Sequence, residues 1–212
     1  MQKPIIWSIS GADCSGGAGI AADIKTGHQL GVEVCHLITA NTVQNSNKLI
    51  AVNPVDVGIL QQQLDTLITD KPPAVIKIGL LVNPEQLAWL CQALRSLKQT
   101  LEQLTVVYDP VAQASIGGRF STLSRAGLSQ LFPLVDIITP NLLEAQTLSG
   151  MKCNDAEQLA NAIARLGANS VIVKGGHNEE QNCIDYCLHR LNSSETSSYQ
   201  LASARIYTSH SH

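Results

Sequence analysis

The sequence predicts an α/β fold in which a mostly parallel sheet is flanked by helices. Three observations carry that expectation. Short β-rich runs alternate with helical patterns along most of the chain, and two of the helical patterns open on Asn-Pro. Charged residues make up only 15% of the 212 residues against 44% apolar, where about 25% charge is usual. Strands joined by crossover helices are buried on both faces, and such burial leaves little room for charge.

The elements follow in order. Residues 4–12 form an apolar run closed at Gly11, read as a first strand. Residues 18–30 carry Ile20 and Ile24 at helical spacing and end at Gly31, where a C-terminal glycine cap would stand. Residues 32–42 are β-rich. Asn53-Pro54 then opens a helix with Val55, Ile59, Leu60, Leu64 and Leu67 along one side, the proline in its tolerated first position. Residues 74–80 read as a strand. Asn83-Pro84 repeats the start pattern for a long helix through Leu90, Leu94, Leu97 and Leu101. A strand at 104–110, a helix at 121–131, a strand at 135–139, a helix at 155–166 and a strand at 170–174 continue the alternation, with right-handed crossovers expected throughout. The tail differs: 182–190 and 198–207 alternate apolar and polar, as an antiparallel pair joined by the polar loop 192–198 would. With no linker, repeat or low-complexity tract, residues 1–212 read as one domain.

Charge and composition exclude several classes of function. The balance of 14 Lys+Arg against 17 Asp+Glu gives −3 with no basic run, which speaks against nucleic acid and anionic membranes as partners. No apolar stretch approaches the ~20 residues of a membrane span, and the run at 5–9 is too short for a signal peptide core. A cytoplasmic protein is the expectation. The six cysteines (Cys14, Cys35, Cys91, Cys153, Cys183, Cys187) form no CxxC pair and read as free or buried thiols. Cys183 and Cys187 share a strand face near His189, leaving a metal site open there although a fourth ligand is missing.

Open α/β sheets bind ligands at the carboxyl ends of their strands. The first strand ends in Gly11-Ala12-Asp13-Cys14-Ser15-Gly16-Gly17-Ala18-Gly19. Gly11 and Gly16 have P-loop spacing, but Gly17 and Ala18 stand where Lys and Ser/Thr must be. Gly17-x-Gly19-x-x-Ala22 fits the relaxed dinucleotide fingerprint, so a dinucleotide-dependent oxidoreductase is a rival reading. That fingerprint wants an acid at the end of the next strand, where Asn41-Thr42 stand instead. A tight turn joining strand to helix is the plain alternative. Asn141-x-x-Glu144 is a helix start signature that needs no ligand. Asp109-Pro110 closes one strand and Lys174 another.

The blocks Ala12-Asp13-Cys14-Ser15-Gly16-Gly17-Ala18-Gly19-Ile20, Ala22-Asp23-Ile24-Lys25-Thr26, Ile38-Thr39-Ala40 with Gln44-Asn45, Lys77-Ile78-Gly79-Leu80-Leu81, Tyr108-Asp109-Pro110-Val111, Thr139-Pro140-Asn141-Leu142-Leu143-Glu144-Ala145 and Val173-Lys174-Gly175-Gly176-His177 run in order along the chain. Together they resemble the hydroxymethylpyrimidine and phosphomethylpyrimidine kinases of thiamine synthesis, in the ribokinase-like superfamily. The resemblance implies a three-layer α/β/α fold with a mostly parallel central sheet. It also implies transfer of a phosphoryl group from ATP, with Mg²⁺, to 4-amino-5-hydroxymethyl-2-methylpyrimidine and then to its monophosphate. Gln44 would grip the aminopyrimidine, since an amide carries donors and acceptors together. Gly11, Ala18, Leu80 and Val107 would shape an apolar slot for the flat ring, with Asp23 on the substrate side. Asn141, Glu144, Lys174 and Gly176 would serve the nucleotide, and Asp109 and Glu144 the Mg²⁺, which favours oxygen ligands and retained waters. Pyridoxine or pyridoxal kinase is the rival within the superfamily. Such proteins often dimerise, so a homodimer is an expected assembly.

Three departures accompany the resemblance. Cys14 stands where the family usually has Pro. The run Ala112-Gln113-Ala114-Ser115-Ile116-Gly117 replaces a Met-Val-Ala-Lys-Ser-Gly-like stretch. The sequence ends in Thr208-Ser209-His210-Ser211-His212, where relatives continue into Gly-Thr-Gly-Cys. The anion hole and catalytic base are therefore expected beyond His212, and the C-terminal part of the fold is expected to be missing. Losing such an element costs ~10²–10³ in rate. The 212-residue chain is expected to be weakly active or inactive, with a non-catalytic pyrimidine-binding remnant as a third reading.

Overall fold

The computed structural model describes residues 3–45, 47–111, 121–175, 182–192 and 195–204. The opening apolar run becomes β1 (Ile5–Ala12), a central strand paired in parallel with β2 (Glu33–Asn45) on one side and β4 (Val75–Ile78) on the other. β5 (Thr105–Tyr108), β6 (Ile137–Ile138) and β7 (Ser170–Val173) extend the parallel part beyond β4. β3 (Lys48–Pro54) closes one edge antiparallel to β2; β8 (Asn182–Arg190) and β9 (Thr196–Ala204) close the other as an antiparallel pair. The order across the sheet is β3-β2-β1-β4-β5-β6-β7-β8-β9.

The alternation of the pleat sorts side chains onto two faces. Trp7, Ile9, Leu37, Ile76, Ile78, Val106, Ile138 and Val171 are fully or almost fully buried on one of them. They share a core with Leu60 and Leu64 of α2 (Val57–Asp70), and with Leu90 and Leu94 of α3 (Pro84–Thr100). α4 (Arg125–Leu128) is a single turn; α5 (Leu142–Ser149) and α6 (Ala156–Ala164) add Leu148, Leu159 and Ile163 to the same core. On the opposite face α1 (Gly19–Gln29) packs on β1 and β2. Further along that face Val75, Val107, Ile137 and Ile172 are half-buried. Even cover of both faces was the sequence expectation; among the described residues the α1 face is the more open.

Three local expectations are corrected. Pro54 does not start a helix: it ends β3 opposite Ala40, and α2 begins behind Asp56, whose side chain accepts from the Gly58 N–H. Asp is a favoured N-cap because its carboxylate satisfies a free N–H of the first turn. The helix expected at 121–131 shrinks to α4, capped by Ser124, and a 3₁₀ turn at Phe132–Leu134. α5 is a helix the segment-by-segment reading left out, although its Asn141–Glu144 start pattern was visible. Elsewhere Asn83 caps α3 with Pro84 in its first turn, as expected. No described helix is long and apolar enough to cross a membrane.

The cysteines are free thiols. His189 accepts or donates a 2.8 Å hydrogen bond with Ser170, and no group of three His, Cys, Asp or Glu among the described residues converges to hold a metal. The Cys183–Cys187–His189 metal reading is therefore dropped.

Candidate active site

The crossover from β1 runs outward to β2, and the one from β3 through α2 returns past β1 to β4, so the carboxyl ends of β1 and β4 flank the switch point of the sheet. Open α/β sheets form their crevice there. The turn after β1 is organised by Asp13, a 7% exposed carboxylate. It accepts from the backbone N–H groups of Ser15, Gly17 and Ala18 at 2.8, 3.1 and 3.0 Å, and from the Ser15 hydroxyl at 2.8 Å. Burial pushes the Asp13 carboxyl up, but the nearby Gln44 amide and the hydrogen bonds from Ser15 and Ala18 outweigh it and hold the pKa below the ordinary 3.8.

Gln44 reaches this turn because β2 runs on past Thr42, where the sequence reading ended it. Thr42 Oγ1 donates to the Ala12 carbonyl at 2.9 Å, and Cys14 Sγ donates to the Gln44 carbonyl at 3.0 Å. The β2–β3 register slips between Val43 and Gln44, and the β1–β2 register slips between Ser10 and Gly11. Such bulges re-aim side chains beside sites. Gly11 lies against Leu80: a methyl there would stand 2.9 Å from Leu80 Cδ2. Gly19, at φ +56°, would put a Cβ 2.1 Å from the Gly11 carbonyl oxygen, so only glycine closes the turn this tightly. Gly11, Ala18, Gln44 and Leu80 thus gather at the switch point. Val107 stands on β5, two residues before Asp109. Asp23 is not open to a ligand in the same way: Ser8 Oγ donates to it, and Lys77 Nζ lies 3.0 Å away.

A second cluster forms at the ends of β5, β6 and β7. Lys174 Nζ donates to Asp109 Oδ1 at 2.7 Å, and Thr139 Oγ1 donates to the same oxygen at 3.2 Å. Asn141 caps α5, with Glu144 Oε2 accepting from the Asn141 N–H at 2.8 Å and Asn141 Oδ1 from the Glu144 N–H at 2.9 Å. Asn141 and Lys174 also form a parallel bridge. Burial raises the Glu144 pKa; the Asn141 N–H and Lys174 pull it down, and Asp109 adds to the rise. Asp109 Oδ2 and Glu144 Oε1 take no part in these hydrogen bonds. The Asp109 and Glu144 carboxylates, both partly buried, suit a hard cation that keeps waters and phosphate oxygens as its other ligands. Gly176, the run at 112–117 and residues 208–212 lie outside the described residues.

The family model for phosphomethylpyrimidine kinase matches residues 13–212. This chain belongs to that family. The hydroxymethylpyrimidine/phosphomethylpyrimidine kinase of Aquifex aeolicus is 37% identical over 85% of this chain and 71% of its own length. The phosphomethylpyrimidine kinase of Clostridium difficile superposes with a TM-score of 0.78 at 30% identity, over 93% of this chain and 84% of the other. An ADP complex of Bacillus subtilis pyridoxal kinase gives 0.82 at 29% identity, over 98% and 77%. The fold is accordingly the three-layer ribokinase-like one, and family membership favours the kinase reading over the dinucleotide oxidoreductase.

Within this kinase family the sequence reading named Gln44 and the nucleotide-side residues but passed over Asp13, Thr42, Lys77 and Thr139. Asp13 had a detectable pattern: an Asp followed two residues later by Ser and then by glycines is an Asx-turn signature. Lys77 and Thr139 stand in two of the family-like blocks, but nothing local pointed to their partners Asp23 and Asp109, which lie on other elements.

Proposed function

We propose that this chain binds 4-amino-5-hydroxymethyl-2-methylpyrimidine at the β1–β4 switch point and transfers to its hydroxymethyl oxygen the γ-phosphoryl group of ATP, with a second transfer to the resulting monophosphate. Membership of a kinase family implies the use of ATP. The observation that carries the reading is the presence of two polar clusters on one sheet edge. One is the Asp13 turn, linked to Gln44 through Cys14 and lying beside Gly11 and Leu80. The other is the Asp109–Lys174–Glu144 group at the ends of β5 to β7.

Phosphoryl transfer rests mainly on positioning and electrostatic stabilisation, and the two clusters divide those tasks. The Gln44 amide offers an acceptor and donors to an amino-azine edge, while Gly11 and Ala18 leave room for a flat ring. Lys174 supplies a positive charge for the polyphosphate. Asp109 and Glu144 would hold Mg²⁺, which when bound neutralises phosphate charge.

Pyridoxal is the second reading, favoured by the TM-score of 0.82 with a pyridoxal kinase. Calorimetric titration of the protein with the aminopyrimidine, with pyridoxal and with MgATP decides between them. Micromolar binding of the aminopyrimidine and of MgATP, with pyridoxal at least about tenfold weaker, is the expected result. Tighter binding of pyridoxal overturns the pyrimidine assignment.

A further inference from the structure

Lys174 and Gly175 carry the chain out of β7 beside the nucleotide-side cluster, and they are held from two directions. Toward β6, the Lys174 N–H donates to the Pro140 carbonyl at 2.8 Å, and the Lys174 side chain reaches Asp109. Toward β8, strand pairing runs as far as Val173, opposite Tyr186. Beyond it the kind of partner changes: the Gly175 N–H donates to Asp185 Oδ1 at 2.9 Å, a side chain of β8 in place of a backbone carbonyl. Gly175 is buried, so this N–H needs a partner within the protein. A Cβ at position 175 would stand 1.9 Å from the Ile184 carbonyl oxygen and 2.9 Å from the Ile184 nitrogen. The two backbones therefore lie against each other, an approach that glycine alone allows.

We propose that Asp185 is a positioning residue for the nucleotide: it holds the Gly175 N–H and so fixes how Lys174 is presented at the end of β7. The peptide between Lys174 and Gly175 is planar. A hydrogen bond that fixes its N–H also fixes the Lys174 carbonyl and restricts the Lys174 backbone. Without the carboxylate the buried N–H would have to turn toward another acceptor, carrying Lys174 away from Asp109. A carboxylate repels a polyphosphate, so Asp185 acts through Lys174 and not on the nucleotide itself. The inference rests on the functional reading above, in which Lys174 meets the polyphosphate, and adds to that site a residue from β8.

The test compares Asp185→Ala, which removes the acceptor, with Asp185→Asn, which keeps an oxygen for the Gly175 N–H. Calorimetry is run on each with MgATP and with the aminopyrimidine. Asp185→Ala should weaken MgATP about tenfold and leave pyrimidine affinity within about twofold. Asp185→Asn should restore MgATP affinity to within about threefold of wild type. A merely structural role would lower the melting temperature of Asp185→Ala without moving nucleotide affinity in the folded protein. Unchanged MgATP affinity in Asp185→Ala, an equal loss for both ligands, or no rescue by Asp185→Asn overturns the proposal.

A further measurement needs neither nucleotide nor a folded alanine variant. In ligand-free wild-type protein the Gly175 amide should exchange with solvent at least about tenfold more slowly than it would in an open chain. Free exchange at Gly175 would overturn the proposal. Protection of Gly175 in a wild-type protein that fails to bind MgATP would instead refute the functional reading.

Discussion

Lys174 Nζ lies 2.7 Å from Asp109 Oδ1, tying the ends of β7 and β5 together across the intervening β6. Both side chains remain partly open, at 40% and 27% exposure, so the pair adds little to stability. Lys174→Met should change unfolding free energy by less than about 1 kcal/mol and weaken MgATP binding about tenfold. Calorimetry on the variant reads both quantities; undiminished nucleotide affinity would remove Lys174 from the nucleotide site.

Glu144 carries a testable pH signature. Its carboxyl is raised above the ordinary 4.5 because burial disfavours the anion. The folded state therefore holds this proton more tightly than the unfolded chain does. Stability from this group is present below 4.5 and is lost as pH rises through the folded value. Glu144→Gln retains an acceptor for the Asn141 N–H without the charge. Melting scans should show the variant gaining on wild type between pH 4.5 and pH 8, while its affinity for Mg²⁺-nucleotide falls. A constant difference across that range would contradict the assignment.

Gly19 and Gly31 both have positive φ, +56° and +74°, but they differ in surroundings. At Gly31 no atom lies within 4 Å of a would-be Cβ, whereas at Gly19 the Gly11 carbonyl oxygen is 2.1 Å away. Gly31→Ala should cost about 1–2 kcal/mol, the left-handed penalty alone. Gly19→Ala should cost more than that and should also abolish pyrimidine binding, because the turn must move. Denaturant titration of the two variants side by side checks the order; equal costs would mean the turn relaxes freely.

Gln86 is fully buried on α3. Its Nε2 donates to the carbonyls of Thr39 and Val55 at 2.7 and 2.9 Å, and its Oε1 accepts from the Val82 N–H at 3.0 Å. It therefore clamps β2, the entry to α2 and the loop after β4. Gln86→Leu fits the space but strands the Val82 N–H and the Val55 carbonyl, while the Thr39 carbonyl keeps the Val55 N–H, and should destabilise by about 2–3 kcal/mol in urea titration. A loss under about 1 kcal/mol would mean that water replaces the amide.

The chain's own pattern determined whatever depends on near neighbours. The glycine-rich turn after β1, the Asn83 and Asn141 caps and the alternating tail strands are all set by residues a few positions apart, and all were legible before the fold was known. Where a local signal was overridden, as at Pro54, pairing decided: β3 runs on to Pro54, which lies opposite Ala40 of β2. Only the tertiary structure decided the rest. Cys14 meets the Gln44 carbonyl beyond the β1–β2 ladder and its bulge, Lys174 meets Asp109 across a third strand, and Lys77 meets Asp23 between sheet and helix. Such pairs are joined by register and crossover direction, which arise from burying the whole sheet at once, so no window of sequence contains them.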